Sequence, residues 1–185
     1  MSAINYLLQI FLNLLLSVFL MRLLLPLVRA DSRNPISLVI IRFTNPLVLP
    51  LRRVFPPTGR FDSAALVALL LVQLAVTSML MLFDQHAITT RALIIVSSFN
   101  LLVLVLQFYK WATIMYALLT WVAPDTYSPV SSILTSLVSP IVRPWRRIIP
   151  PLAGLDFSAA FTIIAIQATL YLLGDVYSQL ILRWL

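Results

Sequence analysis

PLRRVFPP, residues 50–57, and PWRRIIPP, residues 144–151, are two copies of one short basic segment in an apolar chain. Proline and arginine fill most of both copies, although the chain of 185 residues is 61% hydrophobic and only 10% charged. Soluble domains have roughly half of their residues apolar and about a quarter charged. The excess of apolar residues therefore indicates a chain whose main solvent is lipid, and the two basic segments indicate where it leaves the bilayer.

Four apolar runs flank these segments, and each is long enough to cross a bilayer, which takes about 20 helical residues. We predict spans over about 3–28, 63–83, 97–123 and 157–176. The whole third run, 92–123, is too long to stand upright in a bilayer and has to tilt or project. The sequence thus predicts an all-α membrane protein with four transmembrane helices.

The chain also contains an internal duplication. When it is aligned with itself so that Asp31 falls on Asp125, the prolines and arginines of the two basic segments coincide without a gap, and Asp62 falls on Asp156. Matches of proline and arginine carry more weight here than matches of leucine, because both residues are much scarcer than leucine in this chain. We interpret the pattern as a tandem repeat in which each unit is a helix, an amphipathic Pro/Arg elbow and a second helix.

The predicted repeats cover 1–84 and 92–185, joined by a short outer connection over 85–91. Each unit contains two spans, an even number, so the second copy enters the membrane in the same orientation as the first. The repeats are therefore predicted to be parallel, with both elbows on one face.

Charge predicts which face this is. We define the two elbows as residues 29–61 and 124–156. Their arginines are Arg29, Arg33, Arg42, Arg52, Arg53, Arg60, Arg143, Arg146 and Arg147. The opposite face has Arg91 and Arg183. The positive-inside tendency then predicts a multi-pass membrane protein with cytoplasmic elbows and both termini outside. The net charge of +7 is interpreted as this topology signal, and no nucleic-acid partner is predicted.

The start of each elbow has the pattern of a helix N-terminus. Asn34-Pro35 and Ser128-Pro129 combine an N-cap with proline at the first helical position. Apolar residues then recur at helical spacing, which favours a short amphipathic helix at the interface. Pro46 and Pro140 are predicted to end these helices, and a second very short segment follows each.

The arginine pairs are the candidate lipid- or partner-binding residues: Arg52 and Arg53 in the first elbow, and Arg146 and Arg147 beside Trp145 in the second. Guanidinium groups at a cytoplasmic interface can bind anionic headgroup phosphates, and tryptophan is a common interfacial anchor. The simpler alternative is that these arginines only set topology.

Two aspartates lie directly before the second span of each unit. We expect Asp62 and Asp156 to cap the free amides at those helix starts.

Two basic residues fall inside the apolar runs. Arg22 is near the predicted cytoplasmic end of the first span, from which its side chain can reach phosphates. Lys110 lies deep in the bilayer if the third span is 97–123, and at the interface if that span is 92–109; in the first case it suggests transport or pairing with a partner. The amide side chains that could bridge spans are Gln9, Asn13, Gln73, Asn100, Gln107 and Gln167.

Residue composition argues against an enzyme. Cysteine and glutamate are absent, all six carboxylates are aspartate, and the three glycines cannot build a phosphate-binding loop. His86 stands in a short connection without a second ligand nearby in sequence. We therefore predict no catalytic residue, no metal and no cofactor.

The duplicated P-x-R-R-x-x-P-P, followed by TGRFDS at 58–63 and AGLDFS at 153–158, resembles the YggT family, related to YlmG. The resemblance covers nearly the whole chain. It implies an integral protein of the bacterial inner (plasma) membrane without an agreed activity. Relatives are linked to osmotic-stress tolerance, to cell-division gene neighbourhoods and, in plastids, to cofactor assembly on cytochrome b. It supplies no catalytic residue to carry over.

Two functions then compete. A non-enzymatic scaffold or assembly factor would use the elbows to contact anionic lipid, a membrane-protein partner or a second copy. An oligomeric ion channel or transporter would instead explain Lys110 and the amide side chains.

Overall fold

The computed structural model describes residues 3–83, 89–122, 128–148 and 157–184. Within them the chain forms α-helices and no strand. The helices are α1 (Ala3–Leu27), α2 (Pro35–Arg52), α3 (Ser63–Phe83), α4 (Thr90–Val122), α5 (Pro129–Ile148) and α6 (Phe157–Trp184). Four of them, α1, α3, α4 and α6, are long and apolar enough to cross a membrane. The predicted all-α class with four spans is confirmed, and the four apolar helices are consistent with a multi-pass membrane protein.

The first span ends in a Schellman motif. The amide of Ala30 donates to the carbonyl of Leu25 at 3.0 Å, and the amide of Arg29 donates to that of Pro26 at 3.2 Å. Arg29 takes the left-handed conformation that this motif needs, with φ 55°, although it is not glycine. The chain is thereby turned out of α1 and towards the first elbow.

The third and fourth spans are longer than the sequence predicted. Helix α4 begins at Thr90 rather than near residue 97, and α6 continues through Gly174 to Trp184. The rings of Phe99 and Tyr177 stack with centroids 4.5 Å apart, so the extended parts of the two helices lie side by side. A single glycine costs a helix only about 1 kcal/mol, which this packing can offset.

Both elbow helices continue through the prolines that were predicted to end them. Helix α2 includes Pro46 and Pro50, and α5 includes Pro140 and Pro144, so the predicted second short segments do not exist as separate elements. All four prolines are exposed, and the two in each helix are four residues apart. The hydrogen bonds that they remove therefore fall on one exposed face, where the freed carbonyl groups can bind water.

The predicted N-caps of the elbow helices are confirmed. Asn34 Oδ1 accepts from the amide of Ile36 at 2.9 Å, and Ser128 Oγ accepts from the amide of Ser131 at 3.1 Å. Asn34 also donates through Nδ2 to the carbonyl of Pro129 at 2.8 Å, and this bond joins the starts of α2 and α5. One side chain thus caps the first elbow helix and holds it against the second.

The helices pack mainly within two groups of three. Helices α1, α2 and α3 contact one another, as do α4, α5 and α6, while α4 also contacts α1 and α3. The first group buries Leu16, Leu20 and Leu69, and the second buries Val138 and Val142. The elbow helices therefore belong to the packed protein and place their basic ends beside the spans.

Candidate functional site

Three charged side chains meet where the first elbow enters α3. Asp62 Oδ2 lies 2.5 Å from Arg52 Nη2 and 3.8 Å from Arg22 Nη2, while Asp62 Oδ1 accepts from the amide of Ala65 at 3.2 Å. We call Arg22, Arg52 and Asp62 the Asp62 cluster. Asp62 and Arg22 are buried, whereas the Arg52 side chain is 36% exposed. One carboxylate thus caps α3 and balances two arginines from α1 and α2.

The position of Arg22 differs from the sequence prediction. Its side chain was expected to extend to phosphates at the interface, but it is 6% exposed and faces Asp62. A carboxylate inside the protein offers this arginine an opposite charge without contact with the headgroups. Arg22 of α1 is therefore packed inside the protein, where it faces Asp62.

In the second elbow an arginine also contacts a neighbouring side chain, but its partner is a tyrosine hydroxyl instead of a carboxylate. Arg146 Nη2 donates to the Tyr116 hydroxyl at 2.5 Å, and the guanidinium lies 5.9 Å from the centroid of that ring. In the repeat alignment, Arg146 falls on Arg52 and Tyr116 falls on Arg22. Sequence reasoning missed Tyr116, although this alignment pairs it with Arg22. The Asp156 that was predicted to cap α6 lies outside the described residues.

The remaining members of the arginine pairs point elsewhere. Arg53 and Arg147 are exposed, and they directly follow the arginines that contact Asp62 and Tyr116. The Trp145 ring stacks on Phe161 of α6 at 6.2 Å, so this predicted interfacial anchor also contacts protein. Each elbow therefore has one arginine in contact with another side chain, followed directly by an exposed arginine.

Lys110 lies inside a continuous helix and pairs with α6. Its Nζ donates to Gln167 Oε1 at 3.2 Å and lies 5.7 Å from the centroid of the Trp111 ring. Gln167 is ten residues after Phe157, the first residue of α6, which corresponds to about 15 Å along the helix axis, half of a hydrocarbon core of about 30 Å. This register favours the deep placement of Lys110 over the interfacial one.

Five of the six amide side chains singled out in the sequence converge on one cavity of about 790 Å³. They are Gln9, Asn13, Gln73, Asn100 and Gln107. Gln73 is 2% exposed and donates to Thr77 Oγ1 at 3.1 Å, but its Oε1 has no hydrogen-bond partner within the described residues. We call this space the carboxamide cavity. It lies among α1, α3, α4 and α5, at a size usual for a ligand pocket.

Comparison with known proteins identifies the family. A sequence model of the CCB3/YggT family matches residues 1–83 and 95–177. The chain belongs to this family. A Pseudomonas aeruginosa protein named as uncharacterized is 36% identical over 168 residues, which cover 90% of this chain and 85% of the relative. The uncharacterized protein YggT of Escherichia coli K12 is 30% identical over 161 residues, which cover 85% of this chain and 82% of YggT.

An uncharacterized Vibrio alginolyticus protein, named for its position in the proC 3' region, is 30% identical over 178 residues, which cover 95% of this chain and 96% of the relative. No solved structure matches the chain. The resemblance drawn from the repeated Pro/Arg segments is thus confirmed, while the relatives' names supply no activity.

Proposed function

We propose that the chain is a non-enzymatic scaffold or assembly factor of the bacterial inner membrane, whose elbows face the cytoplasm and bind anionic lipid or a partner protein. The observation that carries the proposal is the pair of exposed arginines, Arg53 and Arg147, one beside each structural arginine of the elbows. Their neighbours Arg52 and Arg146 bind Asp62 and Tyr116, so the elbow backbone is fixed next to each exposed charge.

Further charge lies on the same elbows. Arg33, Arg42, Arg60 and Arg143 are exposed. The hydrogen bond between Asn34 and the Pro129 carbonyl keeps the starts of the two elbow helices together, which supports one shared basic surface. Clustered arginines beside membrane helices attract anionic headgroups with about 1 kcal/mol per residue near the surface. A surface of this kind can recruit phosphatidylglycerol or an acidic segment of a partner.

We expect the variant R53Q/R147Q to lose most of the preference for anionic lipid. The two substitutions remove about 2 kcal/mol of attraction to headgroups, which corresponds to an affinity for phosphatidylglycerol roughly 30-fold weaker. Lipid binding to the purified protein can be measured by native mass spectrometry, with phosphatidylcholine as the neutral competitor.

The matched control for this experiment is R91Q/R183Q, which removes two arginines assigned to the opposite face. It should keep the preference for phosphatidylglycerol. If R53Q/R147Q binds phosphatidylglycerol as tightly as the unchanged protein, the lipid-binding role of the elbows is wrong. If R53Q/R147Q keeps its affinity for phosphatidylglycerol but no longer binds a soluble acidic peptide, the partner of the elbows is a protein.

The carboxamide cavity favours a second candidate function, an oligomeric channel or transporter. Neutral amide groups can replace part of the hydration shell of an ion or a polar solute inside the bilayer. Asn13 and Gln107 both line the cavity and coincide in the repeat alignment, so each half of the chain contributes an amide at the same position.

For this second function we expect flux of a small ion across liposomes that contain the protein, and a decrease towards the leak of empty liposomes in N13L/Q107L. The substitutions remove one amide from each half of the chain while keeping an apolar side chain of similar size. Flux should be measured with potassium and chloride gradients in turn. Equal rates for protein-containing and empty liposomes under both gradients would eliminate transport of these ions.

A further inference from the structure

Lys110 stands in the middle of a lipid-facing surface. It borders a groove of about 510 Å³ between α4 and α6, which is also lined by Trp111, Ile163, Ile164, Ala168 and Tyr171. Trp111, Ile164 and Tyr171 are 60%, 64% and 70% exposed, so nothing in the described chain covers the groove. We call this surface the Lys110 groove. An ammonium group at half the depth of a bilayer is costly and usually pairs with a partner.

The contacts of Lys110 within the chain do not neutralise its charge. Gln167 Oε1 accepts one hydrogen bond from Nζ, and the Trp111 ring lies nearby, but both groups are neutral. Among the described residues, the ion pairs of this protein involve Arg22, Arg52 and Asp62, not Lys110. The Nζ group makes one hydrogen bond to a neutral acceptor and therefore has donor capacity left at the groove.

A second copy of the chain cannot supply the missing carboxylate at this depth. The six aspartates are Asp31, Asp62, Asp84, Asp125, Asp156 and Asp175, and the first five lie outside the four spans. Asp175 is eight residues beyond Gln167 in α6, about 12 Å along the helix axis. Lys110 Nζ lies beside Gln167, and an ion pair needs its nitrogen and oxygen within about 4 Å, so Asp175 of a copy in the same orientation stays out of range.

We propose that the Lys110 groove is the docking site for a transmembrane helix of another protein, one that carries an aspartate or glutamate at mid-bilayer depth. Charge complementarity selects this occupant. A carboxylate inside the bilayer loses its hydration, and contact with a cation such as Lys110 offsets that loss of free energy. The flanking Trp111 and Tyr171 give the helix an aromatic surface to pack on. The inference rests on the proposed scaffold function and adds the chemistry of a membrane-embedded partner.

The test uses a defined helix in place of an unknown partner. The full-length protein is placed in phosphatidylcholine vesicles with a labelled oligoleucine helix that has one central glutamate, and association is measured by energy transfer. We expect this helix to bind about tenfold more tightly than the same helix with a central glutamine, the ratio that one interhelical polar contact supplies. The preference should vanish in K110L and persist in K110R.

Leucine is a suitable replacement because Leu16 occupies the equivalent position of the first half. Equal binding of the glutamate and glutamine helices, or an unchanged preference in K110L, would overturn the proposal. So would self-association of labelled chains that K110L abolishes, since the occupant would then be a second copy. R53Q/R147Q should bind the glutamate helix normally, which separates this site from the elbows.

Discussion

The variant D62N is expected to lower the free energy of unfolding by about 3–5 kcal/mol, the usual cost of removing one partner from a buried ion pair. Asparagine keeps an oxygen that can accept from the Ala65 amide, so the cap of α3 survives while the charge is lost. Arg22, with a side chain only 6% exposed, is then left without a carboxylate in its surroundings. Unfolding of the detergent-solubilised protein in an SDS titration measures the difference.

Two further variants isolate the buried charge as the cause. R52Q should cost less than about 1 kcal/mol, because the Arg52 side chain is 36% exposed and water screens its charge. The double variant R22Q/D62N removes both buried charges and should be more stable than D62N alone. If D62N unfolds like the unchanged protein, Asp62 does not carry the charge balance of the first elbow.

The sequence predicted the four spans, because each is a long apolar run, but it placed the start of α4 and the end of α6 too far inside those helices. The prediction that Pro46 and Pro140 end the elbow helices was wrong. It assumed that a proline without an amide hydrogen breaks a helix, and the sequence does not show whether the missing hydrogen bond lies on an exposed face. That face is known only once α2 and α5 are packed against the spans. The same packing buries Ser37 and Thr44 on the opposite side of α2.

The polar residues of the spans show a different limit. Composition and spacing could mark Arg22 and Lys110 as unusual, since charge within an apolar run is rare. They could not say what each residue faces, because Asp62 and Gln167 are 40 and 57 positions away along the chain. The carboxamide cavity is likewise a product of how α1, α3 and α4 meet. The sequence marked the amide side chains as candidates to bridge spans, but it could not show that five of them line one cavity.

The neighbouring leucines of α3 should respond very differently to truncation. Leu69 is 1% exposed and packs in the core of the first three helices, whereas Leu70 is 40% exposed on the outer surface. We expect L69A to cost about 2–5 kcal/mol, because it leaves a cavity that rigid neighbours cannot fill.

L70A should cost well under half as much as L69A in the same SDS titration. Lipid or detergent chains are as apolar as leucine and can refill the space that L70A opens, whereas they cannot enter the core around Leu69. Both variants change helix propensity equally, so the difference between them measures packing alone. Equal losses in the two variants would mean that α3 does not present its Leu69 face to α1, and the arrangement that brings Asp62 to Arg22 would be wrong as well.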